Sequence, residues 1–265
     1  MNNDFDLIVK RYPETQNELH VYAIGDVHVG SREFDENAVR KKIKIIQEDP
    51  VGCLVLAGDL GDFGLKNSKT DTYAATLQPA QQIELIFELF KDVAHKMTAC
   101  VPGNHEYRIT KEVGLCPLYD LCVRWGVPEV YRENLALTKY IFGNQGNNQP
   151  NVFIGLTIHG STQRKNHIFQ MGIEGADFGV SAHVHQPSYT PHGRIRVSRT
   201  HANAEHVPYK EIVIDANLSP GGYGLKYEYE IPPPPELQYL ELRTFRSPDH
   251  SRKLHRVMNY HTVQI

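Results

Sequence analysis

Carboxylates, imidazoles and one carboxamide recur in this sequence at one kind of place, just after a short apolar run. Asp26 and His28 follow His20-Val21-Tyr22-Ala23-Ile24, and Asp59 and Asp62 follow Cys53-Leu54-Val55-Leu56-Ala57. Asn104 and His105 follow Met97-Thr98-Ala99-Cys100-Val101. His159 ends the run from Val152 to Ile158, and His183 and His185 follow Phe178-Gly179-Val180. This mixture of carboxylate, imidazole and amide oxygen suits borderline divalent cations such as Mn, Fe, Zn, Co or Ni. It is unlike a thiolate zinc site or an all-oxygen calcium loop. The groups outnumber the ligands one ion takes, and two ions sharing a carboxylate would use them.

The elements that must position these groups are legible from periodicity. The runs at 20–24, 53–57 and 97–101 read as buried strands. Between them, Val39, Ile43 and Ile46 behind a capping Asp35 predict one helix. After Pro79, Ile83, Ile86, Phe87, Phe90 and Val93 predict another. Residues 61–79 form a long polar loop, and Leu115 to Trp125 reads as a third helix. The order β-α-β-α-β-α predicts a parallel sheet, whose ligands bind outside the carboxyl ends of the strands. The pattern then changes. Thr138–Phe142 and Val152–Ile158 predict a hairpin, 166–172 a short helix, and 178–180, 194–200, 211–215, 239–245 and 254–258 further strands.

Composition bounds the function. The chain has 265 residues, 40% of them apolar and 22% charged, with a formal net charge of -3. That is ordinary globular usage and excludes a general polyanion coat. The four cysteines form no CxxC pair, which predicts a reduced, cytoplasmic setting. The acidic start Met1-Asn2-Asn3-Asp4-Phe5-Asp6 is not a signal peptide. No apolar run approaches the roughly 18 residues of a membrane helix, so no membrane partner is expected.

Asp26-x-His28, Gly58-Asp59, Gly103-Asn104-His105-Glu106, Ile158-His159-Gly160 and His183-x-His185 resemble, in order and spacing, the five blocks of the calcineurin-like metallophosphoesterase superfamily. The blocks span residues 24 to 185. The resemblance implies an α/β fold, an αββα sandwich of two mixed sheets flanked by helices, as a single domain over 1–265 in which 186–265 completes the second sheet. It implies two divalent metal ions, Mn first among the candidates. Asp26, His28 and His185 would bind one ion, Asn104, His159 and His183 the other, and Asp59 would bridge them. His105 would contact the phosphate or protonate the leaving oxygen, and Asp62 would orient a ligand or His105, unless it merely caps a turn. Two such cations promote in-line attack by hydroxide on a phosphate ester.

The blocks depart from the family pattern in two places. Ala182 stands where the last block usually has glycine, a strain if that position needs positive φ. Phe63 stands where the protein Ser/Thr phosphatases carry a phosphate-clamping arginine, which argues against a phosphoprotein substrate. The first block is similar to DNA-repair exonuclease-type members and the third to phage and bacterial members, so a phage origin is an expectation. Arg108, Arg164 in the 163–167 stretch, and Arg194 and Arg196 on one strand face are the candidate contacts to a phosphate-ester substrate, expected to be DNA, RNA or a nucleotide. Tyr73, Phe63 and Tyr107 are candidates for stacking bases. Set against these, a lone Gly-Asp is usually a turn, a basic strand face is often only solvated, and His20, His95, His250, His255 and His261 carry no assignment. The leading expectation is a phosphodiesterase or nuclease. The alternatives are a phosphomonoesterase and a non-catalytic scaffold, although no ligand of the pattern is missing.

Overall fold

The computed structural model describes residues 4–65, 75–143, 151–160, 173–197, 202–219, 234–248 and 254–265. The helix expected over 166–172, Arg164 and Tyr73 lie outside these residues.

β1 (Ile8–Tyr12) is followed by β2 (Glu18–Ile24), α1 (Glu36–Glu48), β3 (Gly52–Leu56), α2 (Pro79–Phe90) and β4 (Met97–Cys100). Then come α3 (Asn104–Val113), α4 (Pro117–Arg124), β5 (Leu135–Phe142), β6 (Val152–Ile158) and β7 (Phe178–Ser181). The chain ends with β8 (Ser188–Val197), β9 (Ala204–Val213), β10 (Glu236–Arg246) and β11 (Leu254–Gln264). One sheet has the order β11-β10-β2-β3-β4 and the other β1-β5-β6-β7-β9-β8. Both are mixed. β2, β3 and β4 run parallel in the first, as do β6, β7 and β9 in the second. This is the expected pair of mixed sheets flanked by helices. No described helix is long and apolar enough to cross a membrane.

The central strands are apolar on both faces because both faces are covered. Val21, Ala23, Cys53, Val55 and Ala57 point between the sheets, against Tyr140, Phe153, Phe178 and Ile212 of the opposite sheet. Tyr22, Ile24, Leu54 and Leu56 point the other way, into a layer with Val39 and Ile46 of α1, Ile86 and Phe90 of α2, and Leu118 and Leu121 of α4.

Several expectations need correction. β1 (IVKRY) has no apolar run to mark it, since only Ile8 of its five residues is buried and Val9 faces out. It is a strand because it pairs in parallel with β5 at the sheet edge. α3 begins at Asn104, within what reads as a strand-end turn. Its only buried residue is Glu106, so it has no apolar stripe to betray it. The helix expected from Leu115 starts at Pro117, because Gly114 closes α3 in the left-handed conformation at φ 70°. Residues beyond 185 divide between the sheets: β8 and β9 extend the six-stranded sheet, and β10 and β11 extend the five-stranded one. On β8, Arg194 and Arg196 share one strand face as expected, but the apolar residues opposite them are not covered. Ile195 and Val197 are 67% and 70% exposed, because β8 is an edge strand without a second layer over that end.

Candidate metal and phosphoester site

The parallel strands of the two sheets end at one rim, and their carboxyl ends carry the candidate groups there. Asp26 and His28 follow β2, Asp59 and Asp62 follow β3, and Asn104 and His105 open α3 just past β4. His159 follows β6, and His183 and His185 follow β7. Three overlapping sets form: Asp26, His28 and His185; His28, Asp59 and His105; Asp59, His159 and His183. Within each set the ligand atoms lie within 4.8 Å of one another. His159 Nε2 lies 3.1 Å from Asn104 Oδ1 and 3.2 Å from Asp59 Oδ2. The nine residues 26, 28, 59, 62, 104, 105, 159, 183 and 185 are therefore brought together.

The backbone is bent to achieve this. Asp26, His28, Asp59, His183 and His185 all have positive φ, between 47° and 75°. Such conformations cost on the order of 1–3 kcal/mol each and persist where the surroundings over-determine them. The strain at the last block falls on His183 rather than on Ala182, so alanine is tolerated there. At the β3 turn, glycine is required. A Cβ on Gly58 (φ 84°) would lie 2.4 Å from the Gly103 nitrogen, and one on Gly103 would lie 2.1 Å from Asp59 Oδ1.

Glu106, quoted in the third block but given no role by the sequence, clasps the two turns. Its buried carboxylate accepts from the N–H groups of Asp59 (2.9 Å), Leu60 (2.8 Å) and Gly103 (2.8 Å). Asp59 Oδ1 in turn accepts from the His105 N–H at 2.8 Å. A sixth strand end also reaches the rim unannounced. Beyond β9, the Asn217 side chain donates to the Gly25 carbonyl at 2.8 Å and its N–H to the Asp26 carbonyl at 3.0 Å. Asn217 lies four residues past β9, just beyond the buried run from Glu211 to Val213.

Electrostatics favour a bound cation. Asp26 Oδ1 is buried without a hydrogen-bond partner. Imidazole nitrogens face one another at 3.3 Å between His28 and His185 and at 3.1 Å between His159 and His183. Burial alone would raise the Asp59 carboxyl, but His159, His105 and His28 outweigh it and hold the group well below the usual carboxylate range. Burial opposes protonation of His159, yet Asp59 reverses the balance and pushes the imidazole up to about 10. Burial, with His105 beside it, drives His28 well down, leaving the neutral ring that metals bind. His159 Nδ1 sits 2.7 Å from the Ala57 carbonyl. As the donor there it turns Nε2 toward the cluster, the usual outer support of a ligating histidine. The residues present fit a divalent cation.

The sequence profile of the calcineurin-like phosphoesterases matches residues 19–204. The chain belongs to this family. No curated protein matches it in sequence. Among solved structures, Chaetomium thermophilum Vps29 is 9% identical with a TM-score of 0.40, over 93% of this chain and 98% of that one. Vps29 of the same organism complexed with a RaPID-derived cyclic peptide is 8% identical with a TM-score of 0.37, over 93% and 97%. Calcineurin-like phosphoesterase membership and the His/Asp cluster together support a metal-dependent phosphoesterase, a hydrolase of phosphate esters.

The remaining candidates fall differently. Asp62 Oδ1 lies 3.5 Å from His105 Nδ1 and 4.0 Å from His28 Nδ1, behind both rings. Arg108 reaches the site from α3: its guanidinium is 3.0 Å from His105 Nε2 and 3.3 Å from the Asp62 carbonyl. Phe63 is fully buried, with its N–H donating to Gln82 Oε1, and faces no ligand. Arg194 and Arg196 are carried off the rim by β8, which runs away from its Ser188 end. At about 3.3 Å per residue, Arg194 is roughly 20 Å along the strand. It donates to the carbonyls of Ile173 and Ala176, while Arg196 pairs with Glu205 at 2.7 Å.

Proposed function

We propose that this protein is a dinuclear metal phosphodiesterase acting on nucleic acid or nucleotides. Asp26, His28 and His185 would hold one cation, Asn104, His159 and His183 a second, and Asp59 would serve both. The pair, when bound, neutralises phosphate oxygens and lowers the pKa of water. The protein's own groups do the rest. Arg108 lies alongside His105 and supplies positive charge for a phosphate oxygen, where the buried Phe63 supplies none. His105 Nδ1, 2.6 Å from the Asp62 carbonyl, is anchored as a donor. Nε2 then faces the cluster, 3.8 Å from Asp59 Oδ2 and beside Arg108, placed to contact the phosphate. Asp62 holds His105 and His28 in register.

The observation that carries the diester reading is an open groove leading from the cluster along α3, lined by the cationic Arg108 and Lys111. A groove of this kind has space for the second ester substituent that a diester carries and a monoester lacks. With Mn²⁺, bis-p-nitrophenyl phosphate should be hydrolysed at least tenfold more efficiently, by kcat/KM, than p-nitrophenyl phosphate. The reverse ratio would convert the assignment to a phosphomonoesterase.

A further inference from the structure

The groove beside the cluster has a volume of about 320 Å³, at the small end of the range of ligand pockets. One wall is α3, where Asn104, Tyr107, Arg108 and Lys111 recur at helical spacing and so share a face. His159 and Asn104, both in the metal cluster, form its inner end. The wall changes character along its length. Arg108 lies against His105, Tyr107 is 39% exposed, and the Lys111 ammonium sits 5.6 Å from the Tyr107 ring centroid. Glu133 on the facing wall is the one carboxylate among the described residues of the lining, against the cations of Arg108 and Lys111.

Tyr107 is among the exposed large side chains and borders the groove, with Lys111 beside its ring. A flat ring flanked by two cations one helical turn apart is the combination that binds single-stranded nucleic acid, with the base stacked and the phosphate neutralised. We propose that this groove seats the nucleotide next to the scissile phosphate of a single-stranded chain. Its base stacks on Tyr107 and its phosphate lies between Arg108 and Lys111. Glu133 faces the base edge, where a carboxylate accepts from an amino group. The identity of the bond that is cut rests on the phosphodiesterase reading above, but the binding itself does not.

The test is fluorescence anisotropy of a labelled single-stranded tetranucleotide titrated with the full chain in EDTA, where binding is read without turnover. Tyr107→Ala should raise Kd at least fivefold, and Tyr107→Phe should stay close to wild type. Lys111→Ala should flatten the salt dependence by about 0.7 in log–log slope, one phosphate contact on a single strand. Tyr107 and Lys111 are surface residues, so the variants are expected to fold, and melting curves check this. Binding by Tyr107→Ala within twofold of wild type overturns the proposal. So does absent binding of the oligonucleotide by wild type, or a phosphopeptide that competes equally well. If binding responds as expected but no metal supports ester hydrolysis, the catalytic reading fails and the groove stands. If hydrolysis occurs but Tyr107→Ala binds normally, the groove fails and the catalytic reading stands.

Discussion

At the scale of single residues, the site depends on groups that touch no ligand. Glu106 accepts backbone N–H bonds from both turns that meet at Asp59, so its charge fixes where that carboxylate points. Glu106→Gln keeps one acceptor oxygen but turns an NH₂ toward donors. Hydrogen bonds to a buried charged group are worth about 1.5–3 kcal/mol, so the melting temperature should fall by roughly 5–10 °C. Bound Mn²⁺ should fall with it, and thermal melts with metal analysis read both. Gly103→Ala should be worse, since its methyl group would meet the Asp59 carboxylate, and should yield protein that binds no metal or does not fold. The sequence displayed the ligands because each follows an apolar run. It concealed Glu106 and Asn217, because what they do is bond backbone groups of distant strands, and only the folded chain brings those together.

At the scale of elements, strands β2, β3 and β4 and the helices between them were legible, because two-sided burial and helical amphipathicity leave strong patterns. β1 and α3 were not, since one is an edge strand and the other a polar helix. α3 matters most, because it turns a loop-like block into a rigid platform that aims His105, Arg108 and the groove. β8 shows the opposite error. The expectation that a basic strand after a ligand block lies near the site fails because the strand runs away from the rim. Arg196→Ala, at an exposed ion pair worth less than about 1 kcal/mol, should therefore leave turnover within twofold of wild type.

The end of α1 has its own pH signature. Burial would raise the Asp49 carboxyl, but hydrogen bonds from His20, Tyr22 and the Val51 N–H outweigh it and depress its pKa. Its contribution is thus present above the ordinary carboxylate pKa near 4 and is lost as pH falls through the depressed folded value. Urea unfolding of wild type and Asp49→Asn should differ at pH 7 and converge as pH falls below the ordinary carboxylate range.

At the scale of the whole molecule, two mixed sheets aim their parallel strand ends at one rim, which is why candidate ligands separated by more than 150 residues converge. The C-terminal strands look weak in sequence because no residue of β11 is fully buried. Yet β10 pairs directly with β2 and buries Leu237, Leu240 and Leu242 completely. Removing residues 234–265 would take these three leucines out of the core and uncover the β2 edge they pair against, forfeiting about 5–9 kcal/mol of burial. That matches the whole stability of a typical domain. The truncated chain should be insoluble or unfolded by circular dichroism, even though every candidate ligand is retained.

The central claim is that the rim cluster hydrolyses phosphate diesters only with its cations in place. It is tested most directly by the rate of bis-p-nitrophenyl phosphate hydrolysis after chelation and after Mn²⁺ is restored, for wild type and for Asp59→Asn. The account predicts no turnover by chelated wild type, full recovery with Mn²⁺, and at least a hundredfold lower rate for Asp59→Asn at any Mn²⁺ concentration. Turnover that survives chelation, an Asp59→Asn rate equal to wild type, or no wild-type turnover with any of Mn, Ni, Co, Zn or Fe would contradict it.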